Sequence, residues 1–372
     1  MMLTHRPTDF TIDADFPGGN IIIDSVDGDT VRLRQDRRTT TEWWFYWHFR
    51  VRNAAGRTIR FEFTDGDVFT AAGPCYSADG HAWQWLGREV VVNNGFSFSF
   101  PAGQSEGHFS LGIPYVERDL KTFLATRPAI QRETLCRTEQ GRDATLLRLA
   151  SAMRRRVVFL SARTHSCEAV ASYALEGMLD FWLSDRSADG TYLREQVDWV
   201  VAPLVDPDGV EAGDQGKLRA PHDHNRDYSD QPLYAISRAI QDELQRHAGR
   251  LAMGLDLHCP WIRGHRNEDV YLVGPPPPRE AAALRYAAIL DQTHQGEIPC
   301  PAEKLLPFGV EWNTVPATSL ANCVARVPGV ELGVSIEIPY ALASGVTMTV
   351  PRARALGADM ARAIARFLSR VV

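Results

Sequence analysis

The hydrophobic patterning of this chain changes period near Leu111-Gly112-Ile113-Pro114-Tyr115, and that change bounds the folds open to it. Ahead of it lie short apolar runs at residues 20–26, 30–34, 42–51, 58–64, 89–92 and 95–100. Asp27-Gly28-Asp29, Asn53-Ala54-Ala55-Gly56 and Asn93-Asn94-Gly95 punctuate them. Short runs with turn residues at this spacing predict an all-β sandwich. Beyond it, strand-like runs at 157–162, 197–205, 251–257 and 333–338 alternate with helix-like runs at 168–184, 234–247 and 353–371. That alternation predicts an α/β region, a parallel or mixed sheet covered by helices. The expected division is an N-terminal β-sandwich over residues 1–117 and an α/β domain over 118–372, and 372 residues suit two domains. The run Trp43-Trp44-Phe45-Tyr46-Trp47 is too aromatic for a solvated strand. Alternation would put its rings on both faces, so core packing is expected first and an interdomain contact second. Pro275–Pro278 reads as a rigid polyproline-like loop.

Composition narrows the function. A net charge of −6, with only short basic clusters at 32–38 and 154–156, speaks against a nucleic-acid partner. No uncharged stretch approaches the roughly 18–20 residues that span a bilayer, so no membrane partner is expected. Residues 1–7 lack the apolar core of a signal peptide. Six scattered cysteines without a Cys-x-x-Cys pair read as reduced thiols of a cytoplasmic protein, and as a poor basis for a thiolate zinc site.

The chemistry lies in the α/β region. His165 and Glu168 stand three apart where a strand-like run passes into a helix-like one. On a helical turn that spacing puts both side chains on one face, where they could supply two ligands to one zinc. Alone the pair is more often a strand-end histidine and an acid favouring a helix N-terminus. His258 closes another buried run, and ligands of open α/β sheets gather at the carboxyl ends of strands. Two histidines and a glutamate make up a catalytic zinc site, although His258 by itself reads as structural. Asp206-Pro207-Asp208-Gly209 is a turn signal. Arg219 and then Asp223-His224-Asn225-Arg226 follow it. A guanidinium and an amide beside a metal suit a carboxylate, whereas without the metal they would be surface groups. Glu337 sits in an apolar run, and a buried carboxylate needs a partner or a raised pKa. A proton shuttle and a structural ion pair are equal readings of Glu337 alone.

The ordered set His165-x-x-Glu168, Pro207-Asp208-Gly209, Arg219, Asn225-Arg226, His258, Glu337 resembles the zinc metallocarboxypeptidases of the carboxypeptidase A-like family. Residues 44–51 and 111–115 resemble the sandwich that precedes the catalytic domain in the cytosolic branch. The resemblance implies a carboxypeptidase-like α/β catalytic domain behind that sandwich, with one zinc per chain held by His165, Glu168 and His258. It implies Glu337 as general base and acid, and Arg219 as the cation that polarises the scissile carbonyl. Asn225 and Arg226 would clamp the terminal carboxylate of a peptide or protein, and Asp223 would orient His165. Two residues depart from the family pattern: Asp206 stands where asparagine is common, and His224 where a small or apolar residue is. No tyrosine occurs between Tyr286 and Tyr340, so the lid role of the pancreatic-type enzymes' tyrosine is unassigned here. Arg326 is a candidate cation for an acidic side-chain pocket, with Asn322, Cys323 and Thr318 nearby. Two alternatives stay open: an aspartoacylase or succinylglutamate desuccinylase-like amidohydrolase, against which the long β-rich leading region speaks, and an inactive binding protein on the same scaffold.

Overall fold

A computed structural model describes residues 10–314 and 318–369. Nine short strands come first: β1 (Thr11–Asp13), β2 (Ile22–Asp27), β3 (Thr30–Arg34), β4 (His48–Arg52), β5 (Thr58–Phe63), β6 (Cys75–Ser77), β7 (Gln84–Trp85), β8 (Gly95–Ser99) and β9 (Gly107–Ser110). They form two sheets, β1-β4-β9-β6-β7 and β2-β3-β5-β8. Phenylalanines from both sheets meet between them, with Phe49 and Phe61 5.0 Å apart and Phe61 and Phe109 5.2 Å apart. This is the expected sandwich, and aromatic pairing fills its core.

The aromatic run departs from the expected strand. Pairing begins only at His48, and residues 43–47 are irregular. Trp47 turns into the sandwich against Phe63. Phe45 instead meets Tyr340 edge-on at 5.8 Å, and Gln215 bonds both the amide and the carbonyl of Tyr46. The run therefore serves both the core and the contact with the α/β region. The expected strand at 89–92 is largely a single 3₁₀ turn, Arg88–Val90.

The α/β region holds a seven-stranded sheet: β10 (Gln131–Arg137), β11 (Asp143–Leu149), β12 (Arg156–Ala162), β13 (Val197–Ala202), β14 (Leu251–His258), β15 (Tyr271–Val273) and β16 (Leu332–Glu337). Their order is β10-β11-β13-β12-β14-β16-β15. β13, β12, β14 and β16 are parallel, and the strands outside them are antiparallel. The helices are α1 (Glu117–Ala125), α2 (Val170–Ser184), α3 (Ala188–Gln196), α4 (Pro207–Ala212), α5 (Ala235–Arg246), α6 (Glu280–Thr293), α7 (Leu320–Arg326) and α8 (Val350–Ser369). Alternation along β12 explains the layering. Val157 and Phe159 pack with residues of α5 and α7, whereas Val158 and Leu160 pack with residues of α2 and α8. α2 and α8 cross closely because both carry glycine: a Cβ on Gly177 would lie 1.9 Å from the Arg354 carbonyl oxygen, and one on Gly357 1.8 Å from that of Ala174.

α2 starts at Val170, so Glu168 belongs to the turn before it rather than to a helix. α8 takes Pro351 into its first turn, where a missing N–H costs nothing. The predicted end of this helix at 370–371, like the N-terminal residues 1–9, lies outside the described residues. One buried apolar cluster runs from Phe49 and Phe109 of the sandwich to Leu257 and Ile336 of the α/β sheet. Among the described residues no helix is long and apolar enough to cross a membrane.

Candidate metal centre and active site

The parallel strands end at one corner. His258 is the last residue of β14 and Glu337 the last of β16, and the ladder pairs them directly. β12 ends at Ala162 beside Leu257, and the chain then turns through Arg163 (φ 60°) into the segment carrying His165 and Glu168. The Arg163 guanidinium is buried and donates to the carbonyls of Tyr115 and Ser166, which holds that turn against the linker between the two regions.

Three groups converge. His165 Nδ1 lies 3.0 Å from Glu168 Oε1, His258 Nδ1 lies 2.9 Å from Glu168 Oε2, and the two Nδ1 atoms are 3.2 Å apart. All three residues are buried, and their donor atoms lie within 4.8 Å of one another. A tetrahedron built on ligand bonds of 2.0–2.1 Å has edges of about 3.4 Å, so the set is close to zinc dimensions before any adjustment. The far sides of both rings face carboxylates. His258 Nε2 is 2.7 Å from Asp256 Oδ2, and His165 Nε2 is 3.4 Å from Asp223 Oδ1. A carboxylate behind each ring fixes the tautomer that leaves Nδ1 free to bind a metal. Asp256 is itself held by the hydroxyls of Ser161 and Thr164.

The charges agree with a cation site. Burial raises Glu168, but Lys217 and the two histidines outweigh it and hold its carboxyl well below the usual range. Burial lowers His258, but Asp256 and Glu168 outweigh it and hold the imidazole well above its ordinary value. Asp223 is likewise held low: burial is overcome by His165, Arg226 and the Asn225 amide. Glu337 differs, because burial dominates and its pKa is raised, with Lys217 and His258 opposing. Its Oε2 has no hydrogen-bond partner among the described residues. A carboxylate poised this way suits proton transfer rather than a structural pair.

A cavity of about 370 Å³ opens onto this corner. His165, His258, Glu337, Asp223, Asn225 and Arg226 line it. Asp223 caps the 3₁₀ turn His224–Arg226 by accepting from the Asn225 amide, which presents Asn225 and Arg226 together. The Asn225 side-chain oxygen accepts from Leu320 N, so its amino group remains a donor. His224 is buried and stacks on Tyr234 at 3.9 Å.

Two expectations need correction. Arg219 does not line the cavity. Its guanidinium is bound by Asp206, at 2.8 Å, and by Asp214, and both carboxylates are buried. Asp206 also caps α4, so this group braces the loop. The reason is local: two buried carboxylates lie within reach, and an arginine satisfies both. Arg326 also stays outside the cavity, donating to the Tyr228 carbonyl from the end of α7. Of the neighbours proposed with it, Asn322 lines the cavity, whereas Cys323 and Thr318 do not.

Sequence reasoning missed several residues of the site. Asp256 carried a signal, since on a strand residues two apart share a face. Lys217, Trp44, Tyr271 and Asn267 also belong to the site. Tyr271 pairs with Glu337 across β15 and β16, and its hydroxyl donates to Asn267. Trp44 comes from the sandwich and packs edge-on against Trp261. Nothing local in the sequence ties these to the metal corner.

Comparison with known proteins is consistent with this geometry. Residues 116–258 match the family described as zinc carboxypeptidase, and residues 12–111 match the cytosolic carboxypeptidase N-terminal domain. The chain is 33% identical over 147 residues to cytosolic carboxypeptidase 2 of Homo sapiens, a match covering 36% of this chain and 16% of that protein. It therefore spans only a small part of such relatives. Among solved structures, a metallo-carboxypeptidase from Burkholderia cenocepacia superposes with TM-score 0.78 at 20% identity, covering 98% of this chain and 100% of that one. One from Pseudomonas aeruginosa, in complex with (2-guanidinoethylmercapto)succinic acid, gives 0.79 at 21% identity, covering 97% and 100%. These structures share the fold.

Proposed function

We propose that this chain, which belongs to the zinc carboxypeptidases and carries the N-terminal domain of their cytosolic branch, releases the C-terminal residue of peptides or proteins by hydrolysis. The observation that carries the reading is the single cavity joining a His165-Glu168-His258 donor set, the Glu337 carboxylate and the Asn225-Arg226 pair. Zinc held by the three ligands supplies Lewis acidity, polarising a carbonyl and lowering the pKa of water from about 15.7 towards 7.

The chain's own groups divide the remaining work. Asn225 and Arg226 receive the terminal carboxylate, Arg226 as a charged fork and Asn225 through its free amino group. That anchors the last peptide bond over Glu337. Glu337 takes one proton from the attacking water as its oxygen bonds to the carbonyl carbon. It returns that proton to the amine nitrogen as the C–N bond breaks. Asp256 and Asp223 keep both ligand rings oriented throughout.

Lys217 and Arg226 are the cavity's cations among the described lining residues. With Arg326 outside, no further cation among the described residues lines the cavity to meet an acidic side chain. Ala321, Asn322, Val334 and Ser335 suit an uncharged C-terminal residue instead. Cytoplasmic residence is part of the proposal, supported by the cytosolic relatives and by six unpaired cysteines.

The test pairs peptides with free and amidated C-termini on zinc-loaded enzyme. Release of the last residue is expected only from the free form, and faster for neutral residues than for glutamate. Equal cleavage of amidated peptides would remove the carboxylate clamp. Hydrolysis of N-acyl amino acids alone would favour the amidohydrolase reading.

A further inference from the structure

Arg219 is tied into a buried ion cluster, so the cavity's second cation needs a role. We propose that Lys217 binds the scissile carbonyl oxygen and the negative charge that develops on it, an inference that rests on the carboxypeptidase reading above. Lys217 lines the same cavity as His165, His258 and Glu337. Its Nζ lies 2.7 Å from Glu168 Oε1 and donates to the Cys259 carbonyl at 3.3 Å. An ammonium has three donors, so one N–H remains after these two acceptors. The substrate's C-terminal end presents two oxygen sites, the carboxylate of the last residue and the scissile carbonyl of the residue before it, and the cavity offers two cations. Arg226 stands next to Asn225 and takes the first. Lys217 stands beside the metal ligand Glu168 and takes the second.

The backbone explains the placement. Gly216 has φ 77°, and a Cβ there would lie 2.3 Å from Ser166 N. The loop thus passes directly over the His165-Ser166 turn, which only glycine permits, and the next residue is delivered to the metal corner. Trp44 of the sandwich lies over the ammonium, 5.4 Å from Nζ to ring centroid. That indole shields the charge from water and strengthens its pull on a developing oxyanion. Arg219 would have to break contacts with both Asp206 and Asp214 to take this place.

The test compares zinc-loaded wild type, Lys217→Met and Lys217→Arg. Zinc content, kcat and KM are measured for a tripeptide. Binding is measured for a phosphonate peptide analogue, which mimics the tetrahedral anion, and for a succinate derivative that engages the carboxylate clamp. Lys217→Met should retain one zinc per chain and a similar KM, with kcat lower by about 10²–10³. Phosphonate affinity should fall by a comparable factor, succinate affinity should hold, and Lys217→Arg should recover part of the rate. A kcat within threefold of wild type overturns the assignment. So does loss of zinc in step with activity, which would make Lys217 a counter-charge for Glu168. Should Lys217→Met fail to fold, Lys217→Arg and Lys217→Gln carry the same measurements. Zinc-loaded wild type that hydrolyses no peptide would overturn both readings, whereas an active wild type with unimpaired variants overturns only this one.

Discussion

His258 and Glu337 stand at the ends of paired parallel strands, whereas Lys217, Asp223, Asn225 and Arg226 come from one irregular segment between α4 and α5. Both sets line one cavity. A ladder fixes which way each side chain points, because alternate residues share a face and the register sets their neighbours. The irregular segment has no such rule. Its side chains are aimed by a cap at Asp223, a close glycine at Gly216 and a buried ion cluster at Arg219. In that segment two cations only two residues apart part company, Lys217 into the cavity and Arg219 away from it.

If the strand ends carry the chemistry, Glu337→Gln should give the largest effect. The rate should fall by about 10²–10⁴ while zinc stays bound, since amide and carboxylate share a shape but only the carboxylate takes a proton. Near wild-type turnover in this variant would take the proton shuttle away from β16.

Arg219→Met should break the comparison from the other side. It leaves Asp206 and Asp214 without their principal buried cation, so unfolding should become easier by about 3 kcal/mol. Folded enzyme should keep most of its kcat. Denaturant melts alongside steady-state kinetics decide the matter: a large kcat loss with unchanged stability would return Arg219 to the chemistry.

Asp256→Asn sharpens the strand side. The His258 ring loses the carboxylate on Nε2, and zinc affinity should weaken by about 10–100-fold. Competition against a chelator measures this directly, and unchanged affinity would make Asp256 a mere hydrogen-bond partner of Ser161 and Thr164.

The smallest effect concerns pH. Glu337 must be ionised to accept a proton, and burial raises its pKa. Activity should therefore rise with pH through an acid limb above the ordinary glutamate value of about 4.3. A kcat/KM profile with its limb at or below that value would show that neighbouring cations outweigh burial.

The fold was legible wherever patterning was strong. The change of period near residue 111, the sandwich and the buried parallel strands all followed from spacing. β10 was not legible, because an exposed edge strand such as Gln131–Arg137 carries no apolar alternation. The strand at 42–51 was overextended because aromatic residues suit a strand and an interdomain contact equally well.

His165, Glu168, His258 and Glu337 could be picked out in the sequence because histidine and glutamate are conspicuous at the ends of apolar runs, and strands deliver their ends to one edge of the sheet. Asp223, Asn225 and Arg226 followed from their order in the chain. Which cation faces the cavity was decided only in three dimensions. A loop side chain goes where its charges are best satisfied: Arg219 found two buried carboxylates within its fork, and Lys217 was left beside Glu168. Trp44 and Tyr271 joined the site through packing between elements distant in sequence, a relation that no local spacing encodes.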